Sequence, residues 1–249
     1  MPPRSPSPVG VVLLDKPPGP TSFALVAAVR RRTRARTGHT GTLDPFASGL
    51  LVLMSGLATR LAPCFVGLDK RYRTDVDLSA TTASGDLEGA ILERHPPPSL
   101  AELEARLAPL RGEIELPVPA VSAVKIGGER AYSLARRGIA VEMPLRRSSV
   151  YSLELLAYAG GIASLELHVG SGTYVRAIAA ALGGHCTLLR RRAVGAFDVS
   201  EADPERLVSA AAVLARLPAE SLARVPASVR AGVLAFEAAG AHPAGGPLP

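Results

Sequence analysis

Only two cysteines, Cys64 and Cys186, occur in the 249 residues. They are too few for a disulfide framework and stand at no metal-binding spacing, which points to a reducing cytoplasm. No apolar run is long enough to span a bilayer. No apolar stretch follows Arg4 of the kind a secretory leader needs, so a soluble cytoplasmic chain is expected. Internal repeats are missing, and so are the signatures of several enzyme classes. Gly170-Ser171-Gly172 has the look of half a phosphate loop, but Val175 occupies the place of the third glycine of a dinucleotide fingerprint and no Gly-Lys-Ser/Thr follows. There is no Gly-x-Ser-x-Gly elbow. The five histidines (His39, His95, His168, His185, His242) do not pair with carboxylates at metal spacing, so no metal is expected.

Acidic residues are nearly absent from the first forty positions. Asp15 alone stands against Arg4, Lys16, Arg30, Arg31, Arg32, Arg34 and Arg36, while the remaining residues balance 21 basic against 21 acidic. The net charge of +6 is therefore local. A local basic excess fits a polyanionic ligand. It equally fits arginines that suit the negative end of a helix dipole, and charge alone does not choose between them.

What is present reads as one sizeable core, with 47% apolar and 20% charged residues. Residues 1–8 read as a Pro-rich, disordered lead. A buried strand over 9–14 stops at Lys16-Pro17-Pro18-Gly19-Pro20. Thr21 or Ser22 caps a helix through about Arg32, with Phe23, Val26 and Val29 on one face. A buried strand follows at 50–54, and 70–78 alternates as a half-exposed strand. Ser99-x-x-Glu102 is a capping box opening a helix to about Leu110. A short helix is expected over 129–137, a hairpin of 147–158 with 162–169 around Gly160-Gly161, a helix over 173–182, a strand over 193–199, and a helix near 227–239. Strands and helices mix without strict βαβ alternation. This predicts an α+β fold on a mixed, largely antiparallel central sheet flanked by helices and loops.

Three segments concentrate reactive side chains. Gly38-His39-Thr40-Gly41-Thr42-Leu43-Asp44-Pro45 sets one histidine and one carboxylate among small residues that let a ligand approach the backbone. Asp44-Pro45 is also a good turn or helix start, with no ligand at all. Ser171-Gly172-Thr173-Tyr174-Val175-Arg176 carries a tyrosine and an arginine two apart. An arginine of this kind holds a neighbouring carboxylate ionised. Tyr72, after Asp69-Lys70-Arg71, suits a stacking platform for a base, or a core position on a strand. Lys125 and the run Arg190-Arg191-Arg192 are candidate phosphate contacts, or solvated charges.

Taken in order, these segments resemble the TruB pseudouridine synthases. The resemblance is carried by Gly10-Val11-Val12-Leu13-Leu14-Asp15-Lys16-Pro17, the Gly38–Pro45 loop with Ser48-Gly49-Leu50-Leu51, Asp69-Lys70-Arg71-Tyr72, Thr82-Ala83-Ser84-Gly85-Asp86-Leu87-Glu88-Gly89, and Ser171-Gly172-Thr173-Tyr174-Val175-Arg176, over roughly residues 9–200. It implies a pseudouridine synthase-like fold and isomerisation of a tRNA T-loop uridine (position 55) to pseudouridine, with no cofactor. It implies Asp44 as the catalytic aspartate, Tyr174 beside the target nucleotide, and Arg176 paired with the aspartate. Tyr72 would stack on the flipped uracil, His39 would hold flipped-out nucleotides, and the Leu189 backbone would touch the base. Lys16, Lys125 and Arg191 would bind substrate. Attack at C1′, attack at C6 and a glycal route all remain open at this point, as do a different or guide-directed RNA substrate and a tRNA-folding helper. Residues 9–204 would form the catalytic domain. Residues 205–249 would form a helical or irregular tail without a complete PUA domain. A monomer acting on the T-arm, with no membrane and no protein partner, is expected.

If the arginines of 30–36 meet phosphate, tRNA affinity falls steeply with salt. Replacing Arg30, Arg31 and Arg34 together lowers the magnitude of the slope of log affinity against log salt by about two to three, nearly one per lost contact. An unchanged slope in a filter-binding titration returns the cluster to a solvated helix end.

Overall fold

Alternating burial along residues 70–77 ties sequence to fold most directly. In the computed structural model, which describes residues 8–139 and 141–239, Tyr72, Thr74 and Val76 are buried while Arg71 and Arg73 are exposed. That is the two-residue period of a pleated strand with one face on a core. In chain order the elements begin β1 (Gly10–Lys16), α1 (Ser22–Thr33), β2 (Thr37–His39), β3 (Ser48–Ser55), α2 (Pro63–Val66), β4 (Lys70–Asp77), β5 (Ala80–Thr82) and β6 (Ile91–Arg94). They continue with α3 (Leu100–Leu107), β7 (Gly112–Pro117), β8 (Lys125–Ile126), β9 (Glu129–Arg130), α4 (Ala131–Arg136), β10 (Leu145–Ala159) and β11 (Ile162–Val169). The last are α5 (Val175–Ala181), β12 (His185–Val194), β13 (Phe197–Asp198), α6 (Ala210–Leu214), α7 (Ala219–Leu222) and α8 (Ala227–Ala238). The fold is α+β with mostly antiparallel strand pairing. The chain divides into two compact units, Met1–Lys70 with Arg190–Pro249, and Arg71–Leu189.

In the first unit β3 is the organising strand. β1 runs antiparallel along it, from Gly10 opposite Ser55 to Lys16 opposite Gly49. β2 pairs antiparallel with its C-terminal end. β12 joins its start in parallel, Arg190 opposite Ser48 and Arg191 opposite Gly49. All of β3 beyond Ser48 is buried, which explains its unbroken apolar run. Gly49 is where a side chain is impossible: with φ at +105°, a Cβ there would lie 2.2 Å from the Arg191 carbonyl oxygen. The outer edge of β1 is closed by Val208, which exchanges backbone hydrogen bonds of 2.8 and 2.7 Å with Val11. Val213 and Leu214 from α6 and Val233 from α8 join Val11, Leu13, Val52, Phe65 and Phe197 in one core.

In the second unit the strands run β4-β11-β10-β7, with the first residues of β12 beside β4. There the Thr74 hydroxyl donates to the Leu188 carbonyl at 2.6 Å. Gly160 and Gly161 turn the β10–β11 hairpin at φ of 57° and 81°. Positive φ at both turn residues matches the strand twist. The Ser99–Glu102 capping box opens α3 as expected.

Three elements differ from the sequence expectation. Phe23 is 72% exposed. Ser22 takes the inward place on α1, because its hydroxyl exchanges hydrogen bonds with the Leu43 backbone. The strand expected at 193–199 is the long β12 followed by the short β13, since an arginine triplet hides the alternation of 185–194. α5 starts at Val175 because Tyr174 keeps an extended backbone, φ −99° and ψ 109°. The lead expected at 1–8 falls outside the described residues except for Pro8, as does the tail beyond 239. No described helix is long and apolar enough to cross a membrane.

Candidate functional site

Asp44 lies in the loop between β2 and β3, half-buried. A loop cannot satisfy its own backbone groups through a ladder, so its carbonyls need other donors. Here buried side chains supply them. Lys16, at the end of β1, is 0% exposed. Its ammonium donates to the carbonyls of Pro17 at 3.0 Å, Pro45 at 2.9 Å and Ala47 at 2.6 Å. From α1, the Ser22 hydroxyl donates to the Leu43 carbonyl and accepts from the Leu43 amide, both at 2.9 Å. From β12, Arg191 donates through Nε to Leu50 at 2.7 Å, and through its two Nη atoms to Thr42 at 3.3 Å and Gly41 at 3.0 Å. The amide of Gly19 donates to the Pro45 carbonyl at 2.8 Å. The two residues flanking Asp44 are thus both held, Leu43 by Ser22 and Pro45 by Lys16 and Gly19.

This geometry gives two of the candidate residues a structural place. Lys16 and Arg191 were expected to bind substrate, yet both are buried with their donors turned onto loop carbonyls. They hold the loop. Lys125, by contrast, is exposed on β8. The arginines at 30, 31, 34 and 36 are exposed, and Arg32, also exposed, forms a bidentate pair with Glu205. Arg190 pairs in the same way with Asp15, at 2.9 and 2.6 Å.

His39, at the end of β2, is half-buried. Burial first, and the Arg191 charge second, push its pKa below the ordinary histidine value, so the neutral imidazole is favoured near neutral pH. Its buried Nδ1 has no hydrogen-bond partner among the described residues. Lys70, missed in the sequence, is buried where β4 begins. Burial, then the charge of Arg191, push its pKa down to about 8, with Asp69 opposing and Arg224 adding to the shift.

The second unit carries the other candidates. Tyr72 is buried on β4 and Leu189 on β12. Tyr174 is half-buried as the N-cap of α5. Arg176, on the first turn of α5, is 3% exposed. It donates to the carbonyls of Ser84 at 2.5 Å and Val121 at 2.9 Å. Its Nη1 lies 3.5 Å from Oδ2 of the buried Asp86. Asp86 in turn accepts from the Ser84 hydroxyl at 2.5 Å and the Glu88 amide at 3.0 Å. Gly85, at φ +74°, leaves space for Arg176, whose Cβ would be 3.3 Å from an added side chain. The Thr82–Gly89 segment is therefore a turn built around a buried guanidinium. Asp86 belongs to this turn, a place that sequence reasoning missed.

Comparison with known proteins follows the same segments. Residues 30–175 match the model of the TruB family pseudouridylate synthase, N-terminal domain. A tRNA pseudouridine synthase B from Azoarcus sp. (strain BH72) is 41% identical over 233 residues, covering 90% of this chain and 73% of that protein. One from Synechococcus sp. (strain WH7803) is 44% identical over 210 residues, covering 80% of this chain and 69% of that protein. Among solved structures, a chain of a Cbf5-Nop10-Gar1 complex aligns with a TM-score of 0.59 and 29% identity, covering 76% of this chain. This chain spans half of that one.

The depressed Lys70 pKa makes stability depend on pH. Between about 8 and the ordinary 10.5 the unfolded lysine binds a proton that the folded one has lost, so this group makes stability rise with pH across that window. Urea unfolding at pH 8 to 10.5 shows this rise in the wild type. Lys70→Met shows a flatter dependence and higher stability at pH 7. A parallel pH dependence in the two proteins contradicts the assignment.

Proposed function

We propose, because this chain belongs to the TruB family of pseudouridylate synthases, that it isomerises a T-loop uridine of tRNA, position 55, to pseudouridine with Asp44 as the catalytic carboxylate. The observation that carries this reading is the Asp44 loop itself. A half-buried carboxylate stands between two residues whose backbones are held by Lys16, Ser22 and Gly19. Positioning of a reacting group to this degree removes much of the entropic barrier to its attack.

The chemistry needs little else. The N1–C1′ bond breaks, the uracil turns, and C5 bonds to C1′ while its proton leaves and N1 regains one. Atoms and electrons balance with no donor and no oxidant, so no cofactor is called for. A uridine inside a folded T-loop is unreachable until it leaves its stack. Unstacking is offset by an aromatic face and by phosphate contacts. Tyr72 supplies the face for the uracil, and Tyr174 relays the proton. Arg176, set in its buried Ser84–Asp86 turn, serves as the arginine of the catalytic aspartate. The half-buried, neutral imidazole of His39 helps hold displaced nucleotides. The Leu189 backbone meets the base. Lys125 and the exposed arginines of α1 neutralise phosphate. Residues 9–204 act as the catalytic domain, and the tail after them buttresses β1. The protein works as a cytoplasmic monomer without a protein partner.

Purified protein incubated with an unmodified tRNA transcript, with nothing added, forms pseudouridine in the T-loop. Asp44→Asn lowers the single-turnover rate by roughly a thousandfold or more, the scale of losing a nucleophile, while tRNA affinity stays within about threefold. Retained turnover in that variant refutes the role of Asp44. Activity only with added RNA or protein points to a guided synthase, and tight binding without product to a folding helper.

A further inference from the structure

We infer that Arg146 is a positioning residue for Tyr174, holding its ring over the loop before α5. The inference rests on the reaction proposed above and adds a residue to it. Arg146 projects from β10, opposite Leu116 of β7. Its guanidinium carbon lies 5.9 Å from the centroid of the Tyr174 ring, within the range at which a cation is drawn to an aromatic face. Among the described residues Arg146 makes no hydrogen bond and no ion pair, so the ring is the partner of its charge.

The backbone beneath confirms how closely the arginine passes. At Gly172 a Cβ would lie 2.3 Å from one Arg146 Nη and 2.9 Å from its Cζ. Gly172 also sits at φ +85°, a conformation open chiefly to glycine. The positive φ is the reason for glycine in Ser171-Gly172-Thr173-Tyr174, and the guanidinium passes through the space its missing side chain leaves. Tyr174 needs outside support. As the N-cap of α5 it has an extended backbone and makes no side-chain cap hydrogen bond. A phenol that moves a proton works only within hydrogen-bond reach of its target, so a ring free to swing loses rate rather than affinity. An arginine serving phosphate instead would act on affinity, in a salt-dependent way.

The test is a double-mutant cycle with a spectroscopic readout. Arg146→Ala and, as an uncharged polar control on folding, Arg146→Gln are made in the wild-type and Tyr174→Phe backgrounds. Single-turnover rate at saturating enzyme and tRNA affinity are measured for each. Both Arg146 variants lower the rate roughly two- to fivefold, the weight of an exposed cation–π contact, with affinity nearly unchanged. In the Tyr174→Phe background the same changes have almost no further effect. With 3-fluorotyrosine at all five tyrosines, the fluorine signal that Tyr174→Phe removes is the one displaced by Arg146→Ala, and the other four stay. The inference is overturned by a wild-type rate in both Arg146 variants, by an equal loss in the Tyr174→Phe background, by an unmoved Tyr174 signal, or by a purely salt-dependent loss of affinity. A wild-type protein that forms no pseudouridine sinks the proposed reaction, and the fluorine spectrum then still decides whether Arg146 holds the ring.

Discussion

A fully buried ammonium with main-chain carbonyls as its shell holds the Asp44 loop in place. Lysine carries three donor hydrogens, and Lys16 has three carbonyl acceptors at hydrogen-bond distance. Two of them belong to Pro45 and Ala47, immediately after Asp44. Burying a cation is costly unless polar groups replace the water it loses. Here the replacement is mutual, because the loop carbonyls have no strand partner and need a donor as much as the lysine needs acceptors. Removing the lysine takes this donor from the Pro17 and Ala47 carbonyls, at about 1–3 kcal/mol for each that water cannot reach, while the Pro45 carbonyl keeps the Gly19 amide. The cost would fall on the segment that presents Asp44.

The same device recurs with arginine. Arg191 reaches the Gly41 and Thr42 carbonyls from β12, and can do so because Gly49 lets that strand close on β3. In the second unit Arg176 ties its helix start to the Ser84 and Val121 carbonyls, with Gly85 giving it room. Motif glycines and motif cations therefore form functional pairs. Each glycine marks a close approach, and each cation holds the backbone that the approach brings near.

Much of this was legible in the sequence, and the rest was hidden for identifiable reasons. The alternation of β4, the Gly160-Gly161 hairpin and the Ser99–Glu102 box are local patterns, and each appears where its pattern stands. α6 and α7 span five and four residues, too short for a helical period to register. The Asp44 loop stood out through the order of its neighbouring motifs, not through any property of Asp44-Pro45 alone. The burial of Lys16 and Arg191 is not legible in the sequence, because a charged residue at a strand end, or in a basic run, ordinarily faces solvent. Only the fold reveals that loop carbonyls distant in sequence await them. Asp86 lay inside a quoted motif but had no visible partner, since Arg176 is far along the chain.

The most direct measurement is the single-turnover rate of Lys16→Met on a tRNA transcript, beside the amide exchange of Leu43, Asp44, Phe46 and Ala47. The account predicts a protein that still folds and binds tRNA, with faster exchange across the loop and a rate reduced by roughly a hundredfold, the penalty for a reacting group displaced by about 1 Å. Wild-type turnover from a protein whose buried ammonium has been removed would contradict it.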